Sequence, residues 1–256
     1  MSDVLVLCYH AVSDTWPATL SVTPAALHDQ LQRLLRRGYR ARCFSDAVLD
    51  HHDGRTLVVT FDDAFASVHA EALPVLRALG IAGTVFVPTG HVGGGPMIWP
   101  GLDGWVDGPH ADELTGCTWE QIGDLVKEGW EVGSHSHNHL RLTTLAGEEL
   151  RAELRDSKVE CEARTGLACR SVAYPYGDHD DRVVAAARDA GYLAAGTLPR
   201  RTRASEPLRV PRIYVSHADG QLRFAAKVSP WVRLLRRSPA WSVIAAGRSA
   251  LSQLRG

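Results

Sequence analysis

The sequence predicts an α/β protein whose mostly parallel sheet forms a closed or nearly closed (β/α) barrel of about seven strands. Strand and helix signals alternate along most of the chain, which is typical of parallel sheets with helical connections. The strand segments are short apolar runs, and several helix segments have a capping residue or a terminal glycine. A length of 256 residues is sufficient for one large domain with a substantial core.

The first third of the chain contains three predicted strands and two predicted helices. The apolar run at residues 4–9 indicates a buried strand. Thr23 and Pro24 then favour a helix start, and Gly38 favours its end. The other elements expected here are a strand at 56–61, a helix at 69–79 and a strand at 82–87.

The alternation resumes after a long segment, residues 91–117, that is rich in glycine and proline and that we interpret as a functional loop. Thr118 and Gln121 form a capping-box pattern at the start of a helix that runs to Lys127. The remaining expected elements are strands at 130–134, 171–174, 192–197 and 209–215 and helices at 144–164 and 181–190.

Composition predicts a soluble globular protein in a reducing compartment. Hydrophobic residues make up 45% of the chain and charged residues 22%. Its five cysteines are scattered and contain no CxxC pair, which favours reduced thiols. No signal-peptide pattern begins the chain, and no run reaches the ~18 apolar residues that a membrane span needs. We therefore expect a cytoplasmic protein.

Charge divides the chain into residues 1–220, the expected catalytic domain, and residues 221–256, a basic amphipathic helical tail. The tail contains seven basic residues and no acidic one, so that residues 1–220 carry 21 basic and 29 acidic residues, a net charge of −8. The tail is expected to pack on the acidic domain, and the alternative is peripheral contact with an anionic membrane inner face. Nucleic acid is not expected as a partner, since no recognition motif accompanies an acidic domain.

Two short motifs indicate a metal site. Asp62 and Asp63 follow the strand at 56–61, and His135 and His139 lie four residues apart, as if on one helical turn. Two histidines with one carboxylate leave an open coordination position for water, which is typical of hydrolytic metal centres. The second carboxylate is then available as a base. A lone histidine pair or aspartate pair would more often belong to an exposed helix or a solvated turn.

Five candidate positions follow predicted strands, where the active sites of α/β barrels lie. They are His10, the Asp62-Asp63 pair, His135, Tyr174-Pro175-Tyr176-Gly177 and His217.

These motifs, in this order, resemble the polysaccharide deacetylases, carbohydrate esterase family 4, in a variant with a Tyr-Pro-Tyr-Gly third motif. The resemblance covers about residues 4–215 and rests on the following segments: Tyr9-His10, Thr60-Phe61-Asp62-Asp63, Gly133-Ser134-His135-Ser136 with His139, Tyr174-Pro175-Tyr176-Gly177 and Val210-Pro211-Arg212-Ile213. It implies a distorted (β/α) barrel and a metal-dependent N-deacetylase of N-acetylated amino sugars.

The resemblance also implies residue roles. Asp63, His135 and His139 would bind the metal, and Asp62 would be the general base. The same division follows from chemistry, since a metal-bound carboxylate stays ionised and its neighbour can accept a proton from the attacking water. A backbone N–H at the Tyr176 turn would stabilise the oxyanion, with Tyr174 and Pro175 shaping that turn.

The sequence departs from the family pattern at three places. Ala64 replaces the usual glycine after the aspartate pair, which is tolerable if φ there is negative. Ala173 stands where many members have an arginine that pairs with the catalytic aspartate, and we expect Arg212 to substitute for it. The late motif that provides the acid for the leaving amine is only loosely matched at His217, so His217 and His10 are both candidates.

The predicted function is removal of N-acetyl groups from an N-acetylhexosamine-containing glycan, lipid-linked sugar or amino-sugar conjugate. Zn²⁺ is the expected metal, although the ligand set also admits Co²⁺, Ni²⁺, Mn²⁺ or Fe²⁺. Trp99, Trp105 and Trp119 are candidates for stacking on sugar rings, with ordinary packing as the alternative. Two other functions remain open: hydrolysis of a non-sugar C–N bond, as in an imide or ureide, and a non-catalytic carbohydrate-binding relic.

Overall fold

The computed structural model describes residues 3–93, 95–198 and 206–237. The strands in these residues are β1 (Asp3–Tyr9), β2 (Ala11–Val12), β3 (Ser21–Val22), β4 (Tyr39–Ala41), β5 (Arg55–Phe61), β6 (Thr84–Val87), β7 (Glu131–Ser134), β8 (Ser171–Ala173), β9 (Ala194–Thr197), β10 (Val210–Pro211) and β11 (Ile213–Tyr214).

The helices of the described residues lie mainly between these strands. They are α1 (Pro24–Arg36), α2 (Phe44–Leu49), α3 (Leu73–Ala78, preceded by the π-helical turn Val68–Ala72), α4 (Trp119–Lys127), α5 (Gly147–Thr165), α6 (Asp181–Asp189), α7 (Gln221–Val228) and α8 (Pro230–Arg237).

The main sheet is parallel and nearly closes into a barrel, which confirms the predicted fold class. Its strand order is β10-β9-β8-β7-β6-β5-β1-β11, and β4 pairs with β5 outside this path. All seven residues of β1 pair with β5, from Asp3 opposite Arg55 to Tyr9 opposite Phe61. The residues that follow these two strands, His10 and Asp62, therefore emerge together at one rim.

A single short segment connects the two edges of the sheet. Val210 pairs with Gly196 of β9, and Ile213 pairs with Leu7 of β1. The strand expected at 209–215 is thus two short strands, because the chain leaves one edge and reaches the other at Arg212. This break directs Arg212 into the interior, where it is 5% exposed.

Strand side chains alternate between two apolar regions. Leu5, Leu7, Leu57 and Val59 belong to the larger core, which also includes the buried faces of the surrounding helices. A smaller apolar cluster lies between strands on different sides of the barrel and includes Phe44 of α2. Its other buried members are Val6, Ala47, Val58, Phe86, Ala173, Ala194 and Val210. Helix α2 contacts β5 and β9 and so covers one end of the barrel.

Local signals located most elements correctly. Thr118 and Gln121 form the predicted capping box, and the Thr23 hydroxyl accepts a hydrogen bond from the Ala26 amide at the start of α1. The sequence reading missed β4 and α2, which are only three and six residues long. It also began α5 three residues too early, since residues 142–144 form a separate 3₁₀ turn.

The tail begins as part of the main domain. Phe224 and Val228 of α7 are buried in the larger core, so the core extends past the expected boundary at residue 221. The Arg233 side chain on α8 donates hydrogen bonds to the Val4 carbonyl oxygen and the Asp3 carboxylate. The rest of the predicted tail, residues 238–256, lies outside the described residues. None of the described helices has the length and apolar character needed to cross a bilayer.

Candidate active site

Asp62 and Asp63 lie in a tight turn at the end of β5. Both are buried, and the Asp62 amide extends the strand pairing by donating to the Tyr9 carbonyl oxygen at 2.9 Å. Asp63 and Ala64 then adopt left-handed backbone conformations, with φ of 67° and 52°. We expected Ala64 to replace glycine without strain if its φ were negative. Its φ is positive, so the alanine occupies a conformation that favours glycine.

His135 and His139 lie on the loop that follows β7, and the expected helical turn between them was wrong. Ser136 and His139 have positive φ values of 62° and 55°, so the loop reverses direction instead of winding. The Ser136 hydroxyl accepts a hydrogen bond from the His139 amide at 3.1 Å. The four-residue spacing brings the imidazoles together through this turn.

Two of the expected ligands, His135 and His139, approach one carboxylate oxygen of the third, Asp63. Oδ1 of Asp63 lies 3.4 Å from Nε2 of His135 and 3.3 Å from Nε2 of His139. Ligands bound at about 2.0–2.1 Å in a tetrahedron are separated by about 3.3–3.4 Å, so this spacing fits a zinc-sized cation. Oδ1 of Asp63 is buried and has no hydrogen-bond partner in the structure, as expected for an atom that faces a metal.

The surroundings of these ligands set their protonation. Nδ1 of His135 lies 2.7 Å from the Ala173 carbonyl oxygen, which can only accept, so Nδ1 carries a hydrogen and Nε2 is the nitrogen available to a cation when the imidazole is neutral. Burial by itself would raise the pKa of Asp63, but His139 and His135 outweigh it and hold that pKa well below its usual range. The carboxylate is therefore ionised and suited to bind a cation.

Asp62 forms a buried ion pair with Arg212. Nη1 and Nη2 of Arg212 donate to Oδ1 and Oδ2 of Asp62 at 2.6 and 2.7 Å. Burial opposes ionisation of Asp62, yet Arg212 and His135 lower its pKa to about 2. The Cys8 thiol donates to Oδ2 at 3.4 Å, and burial raises its own pKa well above the usual range, so it remains protonated.

The space for Arg212 depends on Gly196 of β9. A Cβ atom at Gly196 would lie 2.6 Å from Nε of Arg212 and 2.9 Å from Cδ. The sequence reading did not identify this glycine, because its neighbour in space is sixteen residues away in the chain.

The Tyr174–Gly177 segment contributes one side chain to the pocket. Tyr174 is fully buried and its hydroxyl donates to the Leu208 carbonyl oxygen, so its ring packs in the core. Pro175 begins a short 3₁₀ turn in which Tyr176 has a φ of 60°. The Tyr176 ring lies 4.8 Å from the His139 ring and 4.1 Å from the Arg141 guanidinium carbon.

The two acid candidates lie in different environments. His10 lines the pocket, and its ring centre is 5.4 Å from that of Tyr214. One of its ring nitrogens lies within 4.8 Å of Sγ of Cys8 and of a carboxylate oxygen of Asp62. His217 is exposed, its amide donates to the Thr19 carbonyl oxygen, and it does not line the pocket. The chain turns away from the pocket after Tyr214, so the structure does not bring His217 to the other site residues.

These groups surround a cavity of about 200 Å³ at the rim of the barrel. The lining includes His10, Asp62, Asp63, His135, His139 and Tyr176. The rest of it comes from Thr19, Leu20, residues 99–102 of the long loop, Leu198 and Tyr214. The Trp99 ring lies 4.1 Å from the His139 ring. Two larger cavities, of about 350 and 600 Å³, contain none of the predicted site residues.

The remaining sequence candidates lie outside the cavity. Trp105 packs against Trp16, and Trp119 lies beneath Arg164. His137 points away from the ligands, with Nδ1 2.9 Å from the Thr89 hydroxyl. Tyr214 and Leu198 line the cavity although the sequence reading missed them, since neither has a local signal that separates it from a core residue.

The chain is similar to several known proteins. The polysaccharide deacetylase family model matches residues 50–195, more than half of the chain. YxkH of Bacillus subtilis, named as a polysaccharide deacetylase, is 24% identical over 192 residues, which cover 73% of this chain and 61% of that protein. The poly-β-1,6-N-acetyl-D-glucosamine N-deacetylase of Escherichia coli is 23% identical over 253 residues, which cover 82% of this chain and 36% of that protein.

A solved structure has the same fold. The crystal structure of a polysaccharide deacetylase from Bacillus cereus has a TM-score of 0.72 and 26% identity, with 88% of this chain and 69% of that chain covered. The chain spans less than two thirds of the length of the Bacillus subtilis and Escherichia coli relatives.

Proposed function

Because the chain belongs to the polysaccharide deacetylase family, we propose that it is a divalent-metal-dependent hydrolase that removes acetyl groups from an N-acetylhexosamine. The observation that carries this proposal is the approach of His135 and His139 to one buried oxygen of Asp63, at 3.4 and 3.3 Å, beside the ionised Asp62. A buried carboxylate oxygen without a hydrogen-bond partner, close to two imidazole nitrogens, supports a role as a metal ligand.

Asp63, His135 and His139 would hold the cation, with Zn²⁺ as the first choice and Co²⁺, Ni²⁺, Mn²⁺ or Fe²⁺ as alternatives. When bound, such a cation polarises the amide carbonyl and makes water more acidic. The Ala173 carbonyl oxygen keeps His135 in the tautomer that binding requires.

Asp62 is the proposed general base, which accepts a proton from the water that attacks the amide carbon. Arg212 keeps Asp62 ionised and fixes both of its oxygens, so the carboxylate is in the accepting state before substrate arrives. Arg212 is the proposed substitute for the arginine that many family members have at the position of Ala173.

His10 is the better supported of the two acid candidates. It lines the cavity near Asp62, whereas His217 is exposed outside it. A protonated His10 would transfer its proton to the leaving amine nitrogen after the C–N bond weakens. The backbone of the Tyr176 turn is the proposed second stabiliser of the carbonyl oxygen, because Tyr176 lines the same cavity.

The proposed substrate is an N-acetylated amino sugar within a glycan, a lipid-linked sugar or a small conjugate. Deacetylase names among the relatives and the aromatic lining by Trp99, Tyr176 and Tyr214 support a sugar. Phe224 and Val228 of the tail pack in the core, whereas Leu222, Trp231 and Leu234 are exposed, so contact with a membrane is proposed for the exposed part of the tail. A cytoplasmic location stays a prediction.

A substrate screen with acetate detection tests this function. Protein loaded with Zn²⁺ is incubated with N-acetylglucosamine oligomers, lipid-linked N-acetylhexosamines, and an imide and a ureide as controls. We expect acetate from at least one sugar substrate and none from a His135→Ala variant. Hydrolysis of the imide or ureide alone, with no sugar deacetylated, would contradict the proposed substrate class.

A further inference from the structure

Glu153 of helix α5 is a buried carboxylate that the proposed reaction does not use. The residue is 5% exposed, although carboxylates are rarely buried without partners because losing water is costly. Every hydrogen bond that the structure gives this side chain comes from the loop between the two histidine ligands.

The contacts occupy both oxygens of Glu153. Oε2 accepts hydrogen bonds from the backbone amides of His137 and Asn138, at 3.0 and 2.8 Å. Oε1 accepts a third from the Asn138 side-chain amide at 2.6 Å. Hydrogen bonds to an ionised acceptor are stronger than neutral ones, so this carboxylate holds the middle of the loop firmly.

A second residue on the same helix face supports the start of the loop. Ser157 lies one turn after Glu153, and its hydroxyl is 2.7 Å from that of Ser134, the last residue of β7. The Ser134 hydroxyl in turn accepts a hydrogen bond from the Ser136 amide at 3.1 Å. Helix α5 therefore contacts the loop directly through Glu153 and supports its start through Ser134.

The loop needs such support because its backbone is unfavourable by itself. Ser136 and His139 both have left-handed conformations without being glycine. For residues with a side chain this conformation is unfavourable, because Cβ lies too close to the following carbonyl oxygen. Without partners for the amides of residues 137 and 138, the chain would relax, and Nε2 of His139 would leave its place 3.3 Å from Asp63.

We propose that Glu153 is a positioning residue for the metal centre, which acts through the loop backbone to place His139 opposite His135 and Asp63. The proposal rests on the metal-binding part of the proposed function. Glu153 touches neither the cation position nor the cavity, so its contribution is the geometry of the ligand set.

The test measures metal affinity directly. Zn²⁺ dissociation constants are determined by chelator competition for the full-length wild type, Glu153→Ala, Glu153→Gln and Glu149→Ala. Glu149 is the matched control, since it lies one turn earlier on α5 and is exposed. We expect Glu153→Ala to weaken Zn²⁺ binding by about 10- to 100-fold, as for other groups that orient metal ligands, and Glu149→Ala to leave it unchanged.

Glu153→Gln keeps the size of the side chain but has only one oxygen for the three donors. We expect its loss of Zn²⁺ affinity to lie between those of Glu149→Ala and Glu153→Ala. Its result decides the question if Glu153→Ala does not fold. Circular dichroism of the metal-free proteins confirms that folded variants are compared. Wild-type affinity in a folded Glu153→Ala or Glu153→Gln protein would overturn the proposal. Tight Zn²⁺ binding by the wild type without any acetate release would instead reject the deacetylase function and leave the positioning role standing.

Discussion

The adjacent carboxylates Asp62 and Asp63 have different chemistry because their neighbours differ. Asp63 faces two imidazoles and has an oxygen without a hydrogen bond. Asp62 instead accepts hydrogen bonds from both terminal nitrogens of the Arg212 guanidinium. This difference supports the proposed division, in which Asp63 binds the cation and Asp62 is the base.

Replacing Asp62 with asparagine tests this division. Asp62→Asn should retain about one Zn²⁺ per chain, because the three ligands remain, while kcat falls by about 10²- to 10⁴-fold through loss of the base. Metal analysis and acetate-release kinetics on the same preparation measure both effects. His135→Ala is the control and should lose the metal. A turnover number near that of the wild type in Asp62→Asn would refute the base assignment.

The two histidine candidates for the acid can be separated by parallel variants. His10→Ala should lower kcat by about 10²-fold or more, since proton transfer to the leaving amine is lost. His217→Ala should change kcat little, because that side chain is exposed outside the cavity. Steady-state kinetics on one sugar substrate compare them. The reverse order of effects would move the acid role to His217.

At the scale of elements, the break between β10 and β11 is the feature that completes the site. It closes the sheet and turns Arg212 towards Asp62, which lies 150 residues earlier in the chain. Gly196 on the adjacent strand leaves room for the guanidinium. The ion pair thus depends on a strand that contributes no chemical group of its own.

A methyl group at residue 196 should disturb the site without removing any reactive atom. Gly196→Ala places a Cβ 2.6 Å from Nε of Arg212, so the guanidinium must shift from Asp62. We expect kcat to fall by about 10- to 100-fold and the free energy of unfolding by about 1–3 kcal/mol. Kinetics and urea denaturation measure these changes. Gly123→Ala in α4, where nothing lies within 4 Å, should be neutral or stabilising, and equal behaviour of the two variants would contradict the packing argument.

At the scale of the whole molecule, the start of the tail packs in the main core. Helix α7 contributes Phe224 and Val228 to the core, and its Lys227 pairs with the buried Asp219. The basic residues of α7 and Arg233 find carboxylates on the domain, which favours packing for this part of the tail.

Two truncations test the packing of the tail. A chain ending at residue 220 should lose about 3 kcal/mol or more of folding free energy, since large buried side chains are removed. Flotation with anionic liposomes is measured on the full chain and on the 237-residue chain. Flotation of the full chain alone would assign membrane contact to residues 238–256, and an unchanged stability of the 220-residue chain would contradict the packing of α7.

Metal removal should weaken the fold as well as the activity, because the cation binds only the assembled ligands. At a free Zn²⁺ concentration 1,000 times the dissociation constant, binding stabilises the native state by about 4 kcal/mol, or roughly 10 °C in Tm for a chain of this size. Thermal melting with and without a chelator measures the shift. His139→Ala should show a much smaller shift, and equal shifts in both proteins would place the bound metal elsewhere.

The sequence by itself determined the alternation of strands and helices, the capping box at Thr118, and the placement of Asp62, Asp63 and His135 after strands. These features depend on apolar periodicity, capping and strand ends, which are properties of short segments. Only the tertiary structure decided that His10 and not His217 enters the cavity, that Gly196 makes room for Arg212, and that the loop from His135 to His139 turns without a helix. Those outcomes depend on strand register, on closure of the sheet and on left-handed backbone held by distant partners such as Glu153, and no local pattern in the chain encodes such contacts.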